Sequence, residues 1–183
     1  MTWSRIARRI RVPLSFAFAI FYSWMARPTA TSILIGCFIA LPGLLVRALA
    51  SGHVQKNELL ATSGPYAYTR NPLYLGSLTM AVGFAIAARS WWVSALMVVV
   101  FFAIYVPVIL SEEAFLFERF PEFEQYSRTV PRLVPRIFSA RFESQISSAT
   151  FSRELYLKHR EYNAAIGFVA MTAALIAKLL WLK

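Results

Sequence analysis

Cysteine, histidine and glycine-rich motifs are scarce in this sequence, and each scarcity removes a class of site. The single cysteine, Cys37, has no intrachain partner for a disulfide and argues against a Cys-based structural metal site. The two histidines, His53 and His159, lie far apart, and we expect both to be solvated loop residues. No P-loop and no Gly-x-Gly-x-x-Gly pattern occurs. We therefore expect no metal ion and no phosphate-binding loop of these kinds.

Acidic residues are also few: nine Asp and Glu stand against 19 Lys and Arg, and the formal net charge is +10. Such an excess can indicate binding to nucleic acid. Here, however, the basic residues separate apolar runs and do not cluster in one soluble domain. We therefore expect no nucleic acid partner and contact with the anionic headgroups of membrane lipids.

Apolar residues are what the chain has in abundance, because 58% of it is hydrophobic and 15% aromatic. A soluble domain has about 45–50% apolar residues even when glycine is counted. One crossing of a bilayer takes about 20 apolar residues. The sequence therefore predicts an all-α, polytopic membrane protein, a single membrane domain over residues 1–183 with about five transmembrane helices. The predicted spans are residues 12–26, 30–50, 72–88, 93–110 and 164–182.

The distribution of Lys and Arg predicts the orientation. Most of them fall at the N-terminus, between spans two and three, and in the segment 137–163 with the residues just before it. The positive-inside rule then places the N-terminus in the cytoplasm and the C-terminus outside, in a cytoplasmic (inner) membrane. The basic start followed by 12–26 imitates a secretory signal, but we expect an uncleaved first span. We expect 137–163 to be cytoplasmic or interfacial, and Lys178 to snorkel to the headgroups.

Two polar ends bracket the hairpin formed by the third and fourth spans. Asn71 and Pro72 predict a helix start, with Asn71 as N-cap and Pro72 at the first helical position. Glu112 and Glu113 follow the fourth span. Because two crossings separate these ends, both must emerge on the same side of the membrane. The free N–H groups of the third helix could bind a carboxylate or phosphate there, unless Asn71 only caps the helix.

The paired carboxylates have a functional and a structural interpretation. Adjacent helical residues project about 100° apart, so one can face a site while the other pairs outward. The alternative is a salt bridge to Arg132, Arg128 or Arg70. Arg132 lies between two prolines on a stiff extended segment, which suits it to bind a carboxylate.

Taken together, the ordered motifs resemble the catalytic core of isoprenylcysteine carboxyl methyltransferases, and phospholipid N-methyltransferases share much of the pattern. The resemblance covers residues 59–136. It implies an integral membrane methyltransferase that binds S-adenosylmethionine and takes a lipophilic substrate from the bilayer. The motifs are Gly64-Pro65-Tyr66, Arg70-Asn71-Pro72-x-Tyr74-x-Gly76, Glu112-Glu113, and Phe123-x-x-Tyr126 leading to Val130-Pro131-Arg132.

The same resemblance implies roles for individual residues. Glu112, Glu113 and Arg132 would act in catalysis. For Gly76 and the motif tyrosines, helix packing or a place in an interfacial aromatic belt is the alternative. The implied cofactor-binding residues are Arg70, Asn71, Tyr74, Leu75, Gly76, Glu112, Glu113, Tyr126 and Arg132.

Three departures from the family pattern bear on the chemistry. Asn71 stands where the family often has histidine, so an imidazole acid or base is missing. A carboxylate acceptor is already deprotonated and needs no base, which slightly favours carboxylate O-methylation, although Glu112 or Glu113 could serve as base. Pro121 and Phe123 replace the usual glycine and tyrosine, which affects the geometry of that loop. The span after residue 163 extends beyond the usual core.

Two other functions remain open at this stage. A sterol-reductase-like membrane enzyme would share the helical architecture and bind NADPH. A non-catalytic lipid-binding protein would keep the scaffold alone. The identity of the methyl acceptor and the oligomeric state are left open by the sequence, because the apolar runs must form transmembrane surface whatever they bind.

Overall fold

A computed structural model describes residues 17–54, 59–138 and 150–181, and within these ranges the chain forms helices and no strand. The predicted all-α fold is thereby confirmed. A 3-10 turn spans Gly64–Ala67. The helices are α1 (17–25), α2 (Ala30–Ser51), α3 (Pro72–Ala88), α4 (Trp91–Arg119), α5 (Phe123–Thr129), α6 (Arg153–Lys158) and α7 (Tyr162–Trp181).

Three of these helices, α2, α4 and α7, are long and apolar enough to cross a membrane, and α3 is a shorter apolar helix. The chain is therefore an integral membrane protein. The number of spans and the orientation stay predictions, and residues 12–16 of the first predicted span lie outside the described residues. At 29 residues, α4 is roughly 43 Å long, well beyond the hydrocarbon core of about 30 Å. A helix of this length extends beyond the apolar layer, and Glu112 and Glu113 lie in its C-terminal third.

Glycines bring α2 and α3 into backbone contact along an antiparallel pair. A Cβ built on Gly43 would lie 2.5 Å from the carbonyl oxygen of Gly76, and one on Gly36 would lie 2.5 Å from that of Gly83. Neither distance is compatible with a side chain. In a bilayer there is little hydrophobic drive between helices, so close packing of small residues is what holds such a pair together. Pro42 precedes Gly43 within α2, and the helix is continuous through it.

Helix α7, the C-terminal extension, is attached at both of its ends. Near its start, Glu161 is paired with Arg47 of α2 (Oε1 to Nε, 2.6 Å), and Arg47 also donates to the hydroxyl of Ser77 on α3. Near its end, the Lys178 amine donates to the carbonyl oxygens of Ser23 (2.6 Å) and Trp24 (2.7 Å). The expected snorkelling of Lys178 is thus replaced by binding to the last carbonyls of α1, which lack intrahelical partners.

The two histidines do not stand free in solvent as expected. His53 donates from Nδ1 to the carbonyl oxygen of Leu49 (2.8 Å), and His159 from Nδ1 to that of Ser51 (3.1 Å). Both rings are half-buried. The last carbonyls of a helix have no intrahelical donors, and the two imidazoles satisfy these at the C-terminal end of α2.

The glycine contact predicts a selective loss of stability. Gly43→Ala should lower the free energy of unfolding by about 1–3 kcal/mol, because the new methyl group meets backbone that can only move by separating α2 from α3. Gly167→Ala on α7 is the matched control, since a Cβ there meets nothing within 4 Å. Thermal unfolding in one detergent checks both variants. Equal melting temperatures for the two would contradict the proposed packing.

Candidate active site

Two loop segments far apart in sequence are joined beside the start of α3. The amide of Arg70 donates to the carbonyl of Pro131 (2.9 Å), and that of Arg136 to the carbonyl of Tyr68 (3.0 Å). Thr69 adds a side-chain bond, since its buried hydroxyl lies 3.2 Å from the carbonyl oxygens of both Arg132 and Leu133. This connection fixes the backbone around Arg70 and Asn71 relative to Arg132.

Helix α5 holds the second of these segments in place. Phe123, Tyr126 and Val130 are buried together against the end of α4, and the Phe123 ring meets that of Phe117 edge-on at 4.7 Å. A phenylalanine suits this apolar position because it brings no hydroxyl that would need a partner. The departure from the family tyrosine at 123 therefore leaves α5 well packed, with Pro121 in the exposed turn before it.

Glu113 is the centre of the arrangement and is only 5% exposed. Its Oε1 accepts a hydrogen bond from Nδ2 of Asn71 at 3.0 Å, and its Oε2 accepts one from Nε of Arg132 at 2.9 Å. Arg70 adds an ion pair to Oε2 at 3.5 Å. A buried carboxylate is stable only with such compensation. Glu113 therefore connects α4, the start of α3 and the segment after α5.

Asn71 occupies the N-cap position and Pro72 the first helical position, but the expected side-chain cap is absent. Its Nδ2 instead donates to Glu113 and to the carbonyl oxygen of Arg132, each at 3.0 Å. The buried carboxylate is an ionised acceptor and forms the stronger hydrogen bond. One primary amide supplies both donors from a single nitrogen, which a neutral imidazole cannot do.

Glu112 has a different environment from its neighbour. It is exposed, its Oε1 accepts a hydrogen bond from the Tyr74 hydroxyl at 2.9 Å, and no ion pair involves it among the described residues. The two carboxylates thus diverge, as helical geometry predicts. The salt-bridge interpretation holds for Glu113, with Arg132 and Arg70, whereas Arg128 pairs with Glu124 at 2.7 Å.

Two of the predicted site residues lie away from this centre. Gly76 faces α2, where a Cβ would lie 2.5 Å from the carbonyl oxygen of Gly43 and 2.6 Å from the side chain of Arg47, so helix packing accounts for it. Tyr126 donates its hydroxyl to the carbonyl of Tyr66 at 2.8 Å. Burial raises the pKa of the Tyr126 hydroxyl, with smaller effects from neighbouring charges, and the phenol remains a donor.

The structure therefore brings together six of the nine predicted residues. The other three, Leu75, Gly76 and Tyr126, lie at the edge of this group. Leu75 is half-buried, and its amide forms the first hydrogen bond of α3, to the carbonyl of Asn71 (2.9 Å). Thr69 was missed by sequence reasoning, because nothing in a polar loop indicates which hydroxyl will be buried. The six that meet are Arg70, Asn71, Tyr74, Glu112, Glu113 and Arg132.

The phospholipid methyltransferase family matches residues 46–122, which include the start of α3, the hairpin and both carboxylates. The protein-S-isoprenylcysteine O-methyltransferase of Schizosaccharomyces pombe is 25% identical over 142 residues, 74% of this chain and 60% of that protein. Residues 46–122 of the chain therefore carry a phospholipid methyltransferase domain.

Two bacterial relatives are more similar in sequence. The cobalt-zinc-cadmium resistance protein CzcN of Cupriavidus metallidurans is 35% identical over 73% of this chain and 62% of its own length. The nickel-cobalt-cadmium resistance protein NccN of Alcaligenes xylosoxydans xylosoxydans is 34% identical over 73% and 63%. The chain thus spans less than two thirds of these relatives. No solved structure gives a significant match. The described residues include no group of three or more His, Cys, Asp or Glu suited to a metal ion.

The environment of Glu113 predicts a strong response to charge at position 71. Asn71→Asp replaces a donor by an anion beside a buried carboxylate and should lower the free energy of unfolding by about 3 kcal/mol or more. Asn71→Ala should cost less, about 1–3 kcal/mol, because it removes the donor without adding charge. Unfolding measured at neutral pH compares the two.

The exposed Asn163→Asp is the control for the substitution itself. A neutral effect of Asn71→Asp would show that Glu113 does not receive the hydrogen bond.

Proposed function

We propose that this protein transfers a methyl group from S-adenosylmethionine to a lipophilic small molecule or lipid at the cytoplasmic face of the membrane. Similarity to the methyltransferase family supports the reaction class. The observation that supports the site is the contrast between the two carboxylates. Glu113 is neutralised by Arg132 and Arg70, whereas Glu112 lies beside them, exposed and without a cationic partner among the described residues.

The charges available around Glu112 fit the proposed cofactor. S-adenosylmethionine carries an ammonium and a sulfonium, which a carboxylate can balance, and a carboxylate, which a guanidinium can bind. Glu112 offers a carboxylate for the positive groups of the cofactor. Arg132 offers a guanidinium for its carboxylate, because the Arg132 side chain is 52% exposed and uses only Nε for Glu113.

The residues of the chain would contribute mainly by position and charge. The bound cofactor supplies an electrophilic methyl group for in-line displacement. Glu113 holds the Arg132 guanidinium in one orientation, and the Tyr74 hydroxyl does the same for Glu112. Such prior alignment supplies a large part of the rate in a reaction between two bound partners. The exposed position of Glu112, in the C-terminal third of α4, suits a site between a water-soluble cofactor and a membrane-dissolved acceptor.

The available groups slightly favour a carboxylate acceptor. Asn71 cannot accept a proton, and its two donor contacts, to Glu113 and to the carbonyl oxygen of Arg132, are structural. Glu113 is occupied by its hydrogen bond and ion pairs with Arg132 and Arg70. Only Glu112 remains as a base, and a carboxylate acceptor needs none because it is ionised at neutral pH. The yeast relative is named as an O-methyltransferase, which agrees with this preference.

Cofactor binding provides the test. Calorimetry on the purified chain should detect S-adenosylhomocysteine, and Glu112→Gln should weaken that binding at least about tenfold by removing a charge-assisted contact. Glu124→Gln is the matched control, because Glu124 is an exposed carboxylate that pairs with Arg128 and not with the site residues. Thermal stabilisation by NADPH with no effect of S-adenosylhomocysteine would refute the proposal and favour a reductase.

A further inference from the structure

Helix α4 is interrupted by a π-helical segment, Phe101–Tyr105, between two α-helical parts. Such segments are rare, and many of them occur at functional sites. A π turn holds more residues than an α turn, so it changes the face on which the following side chains appear. The segment lies within the membrane-crossing part of α4, on the N-terminal side of Glu112.

A continuous line of aromatic rings connects this segment to Glu112. The Tyr105 ring is stacked on that of Phe101, with centroids 6.1 Å apart and planes at 16°. The same ring meets Tyr74 edge-on, at 6.0 Å and 89°. Tyr74 in turn donates its hydroxyl to Glu112. We name Tyr74, Tyr105 and Phe101 the aromatic ladder.

The ladder extends from the polar site into the apolar layer. Tyr105 lies seven positions before Glu112 and Phe101 lies eleven positions before it, which correspond to roughly 10 Å and roughly 16 Å along the axis. Half the thickness of the hydrocarbon core is about 15 Å. A molecule lying along the rings would therefore have its head at Glu112 and its body in the bilayer.

Tyr105 carries a hydroxyl that packing alone does not require. Its ring is half-buried, and its hydroxyl makes no hydrogen bond with any described residue. A hydroxyl without a partner is unfavourable in hydrocarbon. A phenylalanine would give the same stacking on Phe101 without that penalty. The hydroxyl therefore points to a ligand with an acceptor atom at this level.

We propose that the aromatic ladder is the binding surface for the body of the methyl acceptor, and that Tyr105 donates a hydrogen bond to an oxygen of that body. The acceptor is then an amphiphile at least about 10 Å long, with its reacting head at Glu112 and a carbonyl, ester or hydroxyl oxygen within its apolar part. The inference rests on the proposed methyl transfer for the reaction. It adds the residue that distinguishes one lipophilic acceptor from another.

The test uses the full chain in nanodiscs with palmitic acid carrying a mid-chain diazirine as the photoreactive probe. Adducts should concentrate on residues 101–105 and on Tyr74. Tyr105→Ala should reduce this labelling about fivefold, the loss expected for one stacked aromatic contact. Phe102→Ala is the control, because Phe102 is the adjacent, strongly exposed ring of the same π-helical segment. It should leave the labelling of the ladder nearly unchanged.

The hydroxyl is tested separately by competition. A palmitic acid with a mid-chain keto group should displace the probe about fivefold better than palmitic acid itself, since it supplies the missing acceptor atom. Tyr105→Phe keeps the ring and should abolish that advantage. This conservative variant keeps the test decisive even if Tyr105→Ala does not fold. An advantage that persists in Tyr105→Phe would overturn the role of the hydroxyl.

Binding of S-adenosylhomocysteine to the same samples separates the two proposals. Wild-type protein that binds S-adenosylhomocysteine but is labelled evenly along its apolar helices, or equally in Tyr105→Ala, would overturn the ladder and leave methyl transfer standing. Protein that is labelled on the ladder but binds no S-adenosylhomocysteine would refute the proposed reaction and retain the lipid-binding surface.

Discussion

A buried carboxylate must be compensated, and the compensation of Glu113 organises this end of the molecule. Its partners come from the start of α3 and from the segment after α5, so one side chain relates three parts of the chain. Loss of a partner of a buried ion costs about 3–5 kcal/mol, more than a typical surface contact contributes. The backbone hydrogen bonds of Arg70 and Arg136 also join the two loop segments, through uncharged groups.

The compensation of Glu113 also explains why adjacent carboxylates have different tasks. Glu113 takes up the cations and is withdrawn from solvent, which leaves Glu112 exposed beside the half-exposed guanidinium of Arg132. A site that must hold a ligand with both positive and negative groups needs such separated charges, because two mutually paired groups would have little left to offer a ligand. The close packing of α2 against α3 at their glycines supports this arrangement, because it fixes the helix that begins at Asn71 and Pro72.

The site has a polar side and an apolar side, and Tyr74 belongs to both. Tyr74 belongs both to the polar centre, through Glu112, and to the aromatic ladder, through Tyr105. In the proposed reaction, a water-soluble cofactor and a membrane-dissolved acceptor would approach from opposite directions, and a residue at the boundary could contact both. The amide at position 71, where the family often has histidine, serves as a two-donor structural connection. In the proposed methyl transfer its role would therefore be to position other groups, which agrees with an acceptor that needs no base.

The sequence by itself determined the helical class, the membrane location and the meeting of Asn71 with the Glu112 and Glu113 pair. These follow from local composition and from the length of two helical crossings, which returns the chain to the same side. Only the tertiary structure decided that Glu113 is the paired carboxylate, that Asn71 bonds to it instead of capping α3, and that Gly76 faces α2. Hydropathy and spacing are properties of short stretches, whereas the partner of a buried polar group depends on how distant loops and helix faces come together.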